Sequence, residues 1–226
     1  ALTLGDDDLF AGTLASMVDW MRDNLLDTGG AFFAGEDGES GGQNGQHYLW
    51  RREQLKKLLS EDEYLLVETL FGLDKLANIE NRWNLHRHDS YRSVVERLSL
   101  TSAEADALLA SAKQKMRSAR AAADIQPTID RKVITGWNGL AIKGLADAGR
   151  SNNQGEWIAM AGQCAQFLRQ SCWDGEMLYS TWHESRLGHP AFLDDYANVL
   201  GGLHSLLQCR WDCLLYTSDA ADEVRS

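Results

Sequence analysis

Two adjacent carboxylates, Asp194 and Asp195, stand directly before Tyr196 and an apolar-periodic run. Carboxyl groups so placed can give or take a proton at a sugar ring, and Tyr196 can stack on that ring or donate a hydrogen bond to it. The same aspartates also suit a structural task, because an acid at a helix start caps orphan backbone N–H groups and meets the positive end of the dipole. His189, followed by Pro190, lies just upstream, where an imidazole beside a carboxylate exchanges protons near neutral pH; a loop-stabilising histidine is the competing reading. Trp137-Asn138-Gly139 pairs a flat apolar face with an amide that donates and accepts. That combination serves sugar recognition, or equally a packing Trp with a helix-capping Asn. Glu36 and Asp37 sit in an acidic, glycine-rich loop that ends in His47, Tyr48 and Trp50, and such a loop binds a cation or a polyol, or is a solvated turn. Its spacing is not that of an EF-hand. His86-x-His88 has no third ligand at useful spacing, so neither a metal site nor a cofactor is expected.

Helices must position these groups. Leu14, Met17, Val18, Met21 and Leu25 recur at helical spacing, as do Ala105, Leu108, Leu109, Ala112, Met116 and Ala119. Thr101 with Glu104, and Ser60 with Glu63, form capping-box patterns before two such stripes, and Gly72 is a plausible stop for the second. Residues 140–148, 157–172 and 196–207 read as amphipathic or largely buried helices. Between helices lie short, glycine-led aromatic pieces, and two look alike. Met21-Arg22 leads through Leu25-Leu26-Asp27 into Gly29-Gly30-Ala31-Phe32-Phe33, as Leu168-Arg169 leads through Cys172-Trp173-Asp174 into Gly175-Glu176-Met177-Leu178-Tyr179. A helix that ends at Asp, turns on Gly and enters a hydrophobic extended piece thus occurs twice, which suggests repeated helix-loop-helix units around a common axis.

Composition excludes several classes. A net charge of -11 over 226 residues leaves no background for the clustered Lys and Arg that nucleic acid requires. No apolar run reaches the roughly 18 to 20 residues that cross a bilayer, so no membrane partner is expected, and the chain is read as cytoplasmic. Four cysteines without a C-x-x-C pair argue against a disulfide framework, and Cys164 falls on an apolar stripe, where it acts as a small hydrophobe.

Four stretches carry a resemblance that composition cannot supply: Gly29-Gly30-Ala31-Phe32-Phe33-Ala34-Gly35-Glu36-Asp37 running to His47-Tyr48-Leu49-Trp50; Asp130-Arg131-Lys132-Val133-Ile134-Thr135-Gly136-Trp137-Asn138-Gly139-Leu140; Leu178-Tyr179 with Arg186 and His189-Pro190; and Ala191-Phe192-Leu193-Asp194-Asp195-Tyr196-Ala197. In this order the chain resembles the thioredoxin-domain-containing family that includes the spermatogenesis-associated protein and its bacterial relatives. The resemblance implies an all-α fold, an (α/α) toroid of helical hairpins like six-hairpin glycosidases and N-acylglucosamine 2-epimerases, present here in part over residues 1–212, with short extended segments in loops. It also implies a thioredoxin-like domain preceding the toroid, which this chain lacks. Arg51 stands where the family pattern suggests a helix-capping Thr, and 78–88 is a loose version of a glycine-rich segment. The expected partner is a carbohydrate-like small molecule held or turned over by acid/base chemistry. The rival reading is a non-catalytic scaffold serving the thioredoxin-like domain.

Both ends are expected to be artificial. The chain does not start with Met, and residues 213–226 follow Trp211-Asp212 with neither cap nor helical period. Back-translation of Cys213-Leu214-Leu215-Tyr216-Thr217-Ser218 gives a string similar to a transposase sequencing adapter, so this tail is read as non-native.

Overall fold

The computed structural model describes residues 8–40 and 43–210; the tail read as adapter-derived lies outside the described residues. The chain runs α1 (Asp8–Leu25), β1 (Gly35–Glu36), β2 (Glu39–Ser40), β3 (Gln43–Asn44), α2 (Arg52–Leu58), α3 (Glu61–Phe71), α4 (Tyr91–Arg97) and α5 (Ser102–Ala121). It continues through β4 (Ile129–Asp130), β5 (Val133–Ile134), α6 (Thr135–Ser151), α7 (Gly155–Phe167) with a π-turn at Leu168–Cys172, β6 (Thr181–His183), β7 (Arg186–Leu187) and α8 (Leu193–Cys209). The fold is mostly helical with a few short strands. Among the described residues no helix is long and apolar enough to cross a membrane.

Within the span read from sequence as one toroid domain, the described residues form two compact units: 8–36 with 129–210, and those between 37 and 128. In chain order the second is an insertion into the first, entered and left through β1 and β4, which pair antiparallel with Gly35 opposite Asp130 and Glu36 opposite Ile129.

The first unit is built on α6, α7 and α8, with α1 contributing Val18 and Leu25 to a core that includes Ile142, Leu145, Ala146, Ala161, Cys164, Leu168 and Leu206. Contacts between α6 and α8 advance together along both helices: Gly136 lies against Asp195, Gly139 against Asn198 and Val199, and Gly202 against Ile142, while Cys209 Sγ donates to Ala146 O. The two helices are therefore parallel. Their approach depends on missing side chains, since a Cβ on Gly139 would lie 2.5 Å from Val199 N and 2.6 Å from the Asn198 carbonyl carbon. Neither of those backbone atoms can step aside.

The paired turns suggested by sequence share a plan, the first one residue longer than the second and with its positive-φ glycine later in the turn. Leu26 bridges Phe32 and Trp173 bridges Leu178. Asp27 Oδ2 accepts from Gly29 N, and Asp174 Oδ1 accepts from Glu176 N and Met177 N. Gly30 and Gly175 take φ of 100° and 106°, a region that costs a Cβ-bearing residue about 1 kcal/mol or more. The chain then returns, Phe33 N donating to Leu25 O and Tyr179 N to Cys172 O.

In the second unit, α3 and α5 pack through Leu66, Leu70 and Leu109, and a neighbouring cluster joins Leu55, Val67, Leu73 and Ala112. Both capping boxes form: Ser60 N donates to Glu63 Oε2 and Thr101 N to Glu104 Oε2, with the reciprocal bonds to the two hydroxyls. Gly72 ends α3 in the left-handed region, as its position suggested. Arg51 holds the N-cap position of α2, where its backbone N–H donates to Gln54 Oε1 in place of any hydroxyl cap.

Candidate functional site

The site is built at the N-terminal ends of α6 and α8, which the parallel packing brings to the same end of the first unit. The start of α6 is anchored to both aspartate turns. Thr135 N donates to Ser180 O and its hydroxyl to Tyr179 O at 2.6 Å. Asn138, 2% exposed, donates to Phe32 O at 2.9 Å and Ile134 O at 3.0 Å, while its Oδ1 accepts from Phe32 N at 2.8 Å and Cys164 Sγ at 3.1 Å. Its amide has spent both protons and both lone pairs inside the protein.

Asp195 is similarly occupied. At 6% exposure, its Oδ1 accepts from Gly136 N at 3.0 Å and its Oδ2 from Phe192 N at 2.9 Å. One carboxylate thus satisfies an orphan donor at the start of each helix and sits at the positive end of both dipoles. Tyr196 is partly buried, and its hydroxyl oxygen accepts from Leu178 N at 3.2 Å, which leaves its own O–H to donate.

The neighbours of these buried groups face outward. Trp137, between Gly136 and Asn138, is 57% exposed, and Asp194 is exposed in the first turn of α8. The bond from Gly136 N to Asp195 Oδ1 places these two exposed residues on adjacent helix ends. His189 is also exposed; its backbone oxygen accepts from Ser180 N at 2.8 Å and the Ser180 hydroxyl at 3.1 Å, fixing the segment before α8.

Glu36 and Asp37 are divided between the two units. Glu36 lies in β1 opposite Ile129, whereas Asp37 opens the second unit and accepts from Glu39 N at 3.0 Å, in an Asx turn. His86 shares a 3.2 Å contact with Asn78, whose amide bonds both the N–H and the carbonyl of Asn84 to shape the 78–88 loop. Among the described residues no group of three His, Cys, Asp or Glu is arranged to hold a metal ion. Burial pushes the Cys164 thiol up to about 12, helped by the nearby Cys172, and burial pushes Cys172 up to about 11. Both stay protonated small hydrophobes, as the apolar stripe indicated for Cys164.

No family model matches the chain. It is 25% identical over 243 aligned residues to spermatogenesis-associated protein 20 of Mus musculus and of Homo sapiens, and 26% to that of Rattus norvegicus, in each case across 92% of this chain and 31% of the relative. An uncharacterized protein of Caenorhabditis elegans is 27% identical across 78% of this chain and 28% of its own length. The chain is homologous to spermatogenesis-associated protein 20. The similarity agrees with the family resemblance carried by the motifs. The chain spans about a third of the length of these animal relatives, whose names state no activity.

Sequence reasoning overlooked the exposed apolar residues that α6 and α8 carry besides Trp137. Leu140, Phe192, Leu193 and Leu200 are each more than half exposed, and Leu193 reaches 86%. The signal was available: Phe192-Leu193 stands where a helix start ordinarily shows polar capping residues, and here Asp195 supplies the cap from within the helix.

Proposed function

We propose that the first unit is part of an (α/α) toroid of helical hairpins and that the end formed by α6 and α8 binds a carbohydrate-like ligand. The toroid reading is supported by two parallel neighbouring helices, α6 and α8, each packed against α7, and by two aspartate turns that each close on a bridge and carry one glycine of positive φ. The ligand reading rests above all on the exposed indole of Trp137 and the exposed carboxylate of Asp194, carried on the adjacent ends of α6 and α8. A flat apolar face takes the C–H side of a sugar ring, and a carboxylate accepts from its hydroxyls.

The roles divide by availability. Asp195 and Asn138, their polar atoms engaged by the backbone, position the two helix ends. Acid/base chemistry at a bound ring, hydrolase- or epimerase-like, falls to Asp194 and His189, with Tyr196 as a hydroxyl donor. In a titration of the chain with a panel of mono- and oligosaccharides, followed by tryptophan fluorescence and calorimetry, saturable binding is expected. Trp137→Ala should weaken it by at least about tenfold, roughly 1.4 kcal/mol. No binding across the panel would overturn the reading.

A second reading is favoured by one observation. Large apolar residues stay exposed on α6 (Leu140) and along the first half of α8 and its N-cap (Phe192, Leu193 and Leu200), and exposed residues of this kind dock protein, here a thioredoxin-like domain of the longer protein. Saturable binding of such a domain, lost in Leu193→Asp and insensitive to sugars, would favour this scaffold role.

A further inference from the structure

The second unit holds a cleft of about 540 Å³ that the site above does not use. It lies between the 45–50 loop, α2 and the last turn of α5, and its chemistry differs from that of the chain around it. His47, Lys57 and Arg120 line it against a single carboxylate, Asp124, in a protein of net charge -11. The guanidinium of Arg120 is held 5.2 Å from the Tyr48 ring centroid and 5.6 Å from that of Trp50, a cation fixed over two aromatic faces. The carbonyls at the end of α5 would ordinarily make such a place electronegative. Here Gln126 Nε2 lies within hydrogen-bond distance of the oxygens of Arg120, Ala121 and Ala123, and its two N–H groups, shared among them, offset part of that negative end. His47 Nδ1 contacts Ile125 O at 3.4 Å and joins the two loops that form the rim. Leu49, Leu58, Ala119 and Ala123 supply apolar wall, and Gln46 and Gln54 add two neutral amides that can hydrogen-bond a ligand.

We propose that this cleft binds a small organic anion, a carboxylate or phosphate ester on a flat apolar body, with Arg120 and Lys57 facing the charge and Trp50 with the leucines facing the body. The size fits, since ligand pockets run from about 300 to 1,000 Å³. The acidic net charge does not forbid it, because exposed charges more than about 8 Å away are largely screened at physiological salt, which leaves the local cations dominant. Arg120 suits the task better than a lysine would: its planar fork is already oriented and meets two anionic oxygens at once.

Calorimetric titration of the chain with phenyl phosphate, and with benzyl alcohol as the uncharged probe, tests this. The expected result is one saturable site for phenyl phosphate that weakens as salt rises, no measurable binding of benzyl alcohol, and at least about tenfold weaker binding in Arg120→Gln. Should Arg120→Gln fail to fold, Lys57→Gln decides, because Lys57 is exposed on α2; it should weaken binding about threefold or more. Absence of a saturable site, equal binding of benzyl alcohol, or unchanged affinity in Lys57→Gln would each overturn the proposal.

Discussion

Asp194 and Asp195 are neighbours in sequence and opposites in circumstance. Asp195 is buried with an N–H on each oxygen, whereas Asp194 faces solvent. The pair was legible as a helix start carrying a possible acid/base, but which of the two turns inward depends on where Gly136 arrives, from 59 residues away. Asn138 illustrates the same limit, since its partners Phe32 and Cys164 are distant in sequence and its four bonds exist only once the turns have closed on α6. Glu63 is a second buried acid, bonded by Ser111 at 2.6 Å and Lys115 at 2.7 Å. Burial alone would raise its pKa, but the hydrogen bonds from Lys115, Ser111 and the Ser60 N–H, with the Lys115 charge, outweigh burial and bring it down from 4.5 to about 2. A carboxyl lowered on folding contributes stability above its unfolded value and loses it as pH falls through the folded one. Glu63→Gln should therefore cost about 1.5–3 kcal/mol at pH 7, and the gap from the parent should close between pH 4.5 and 2. Urea unfolding across that range checks it; a gap independent of pH would contradict the assignment.

Helices with strong local signals were the legible elements. The helices under the Leu14–Leu25 and Ala105–Ala119 stripes, both capping boxes and the Gly72 stop reappear because each is a property of a few consecutive residues, although Met17 of the first stripe faces outward at 57% exposure. The short helices α2 and α4 carry little periodicity, and α6 starts five residues before the apolar run at Leu140, since the turn that nucleates it is held by Thr135 and Asn138. The close crossing of α6 and α8 was not legible at all. Glycines at 139 and 202 read as weak helix formers until the facing backbone is seen. Gly139→Ala tests that contact: although alanine favours helix by about 1 kcal/mol, the clash with Val199 and Asn198 should win, for a net loss of roughly 1–3 kcal/mol in thermal unfolding. An equal or higher melting temperature would show that the helices do not approach so closely.

At the scale of the whole molecule, the sequence motifs gave the relatives, and the fold explains why those motifs stand together. The stretches 29–37, 130–140, 178–190 and 191–197 are the two aspartate turns and the helix ends they clamp. The insertion of 37–128 between β1 and β4 was hidden, because its helices carry the same kinds of stripe as those outside it. The proposal that the α6–α8 end presents Trp137 and Asp194 to a carbohydrate-like ligand while Asp195 holds that end together makes opposite demands on adjacent residues. Asp194→Asn and Asp195→Asn, compared by melting temperature and by titration with the sugar that the panel selects, test it most directly. Asp194→Asn should melt within about 2 °C of the parent and bind at least about tenfold more weakly, while Asp195→Asn should lose about 1–3 kcal/mol of stability. Unchanged binding in Asp194→Asn, or unchanged stability in Asp195→Asn, would contradict the account.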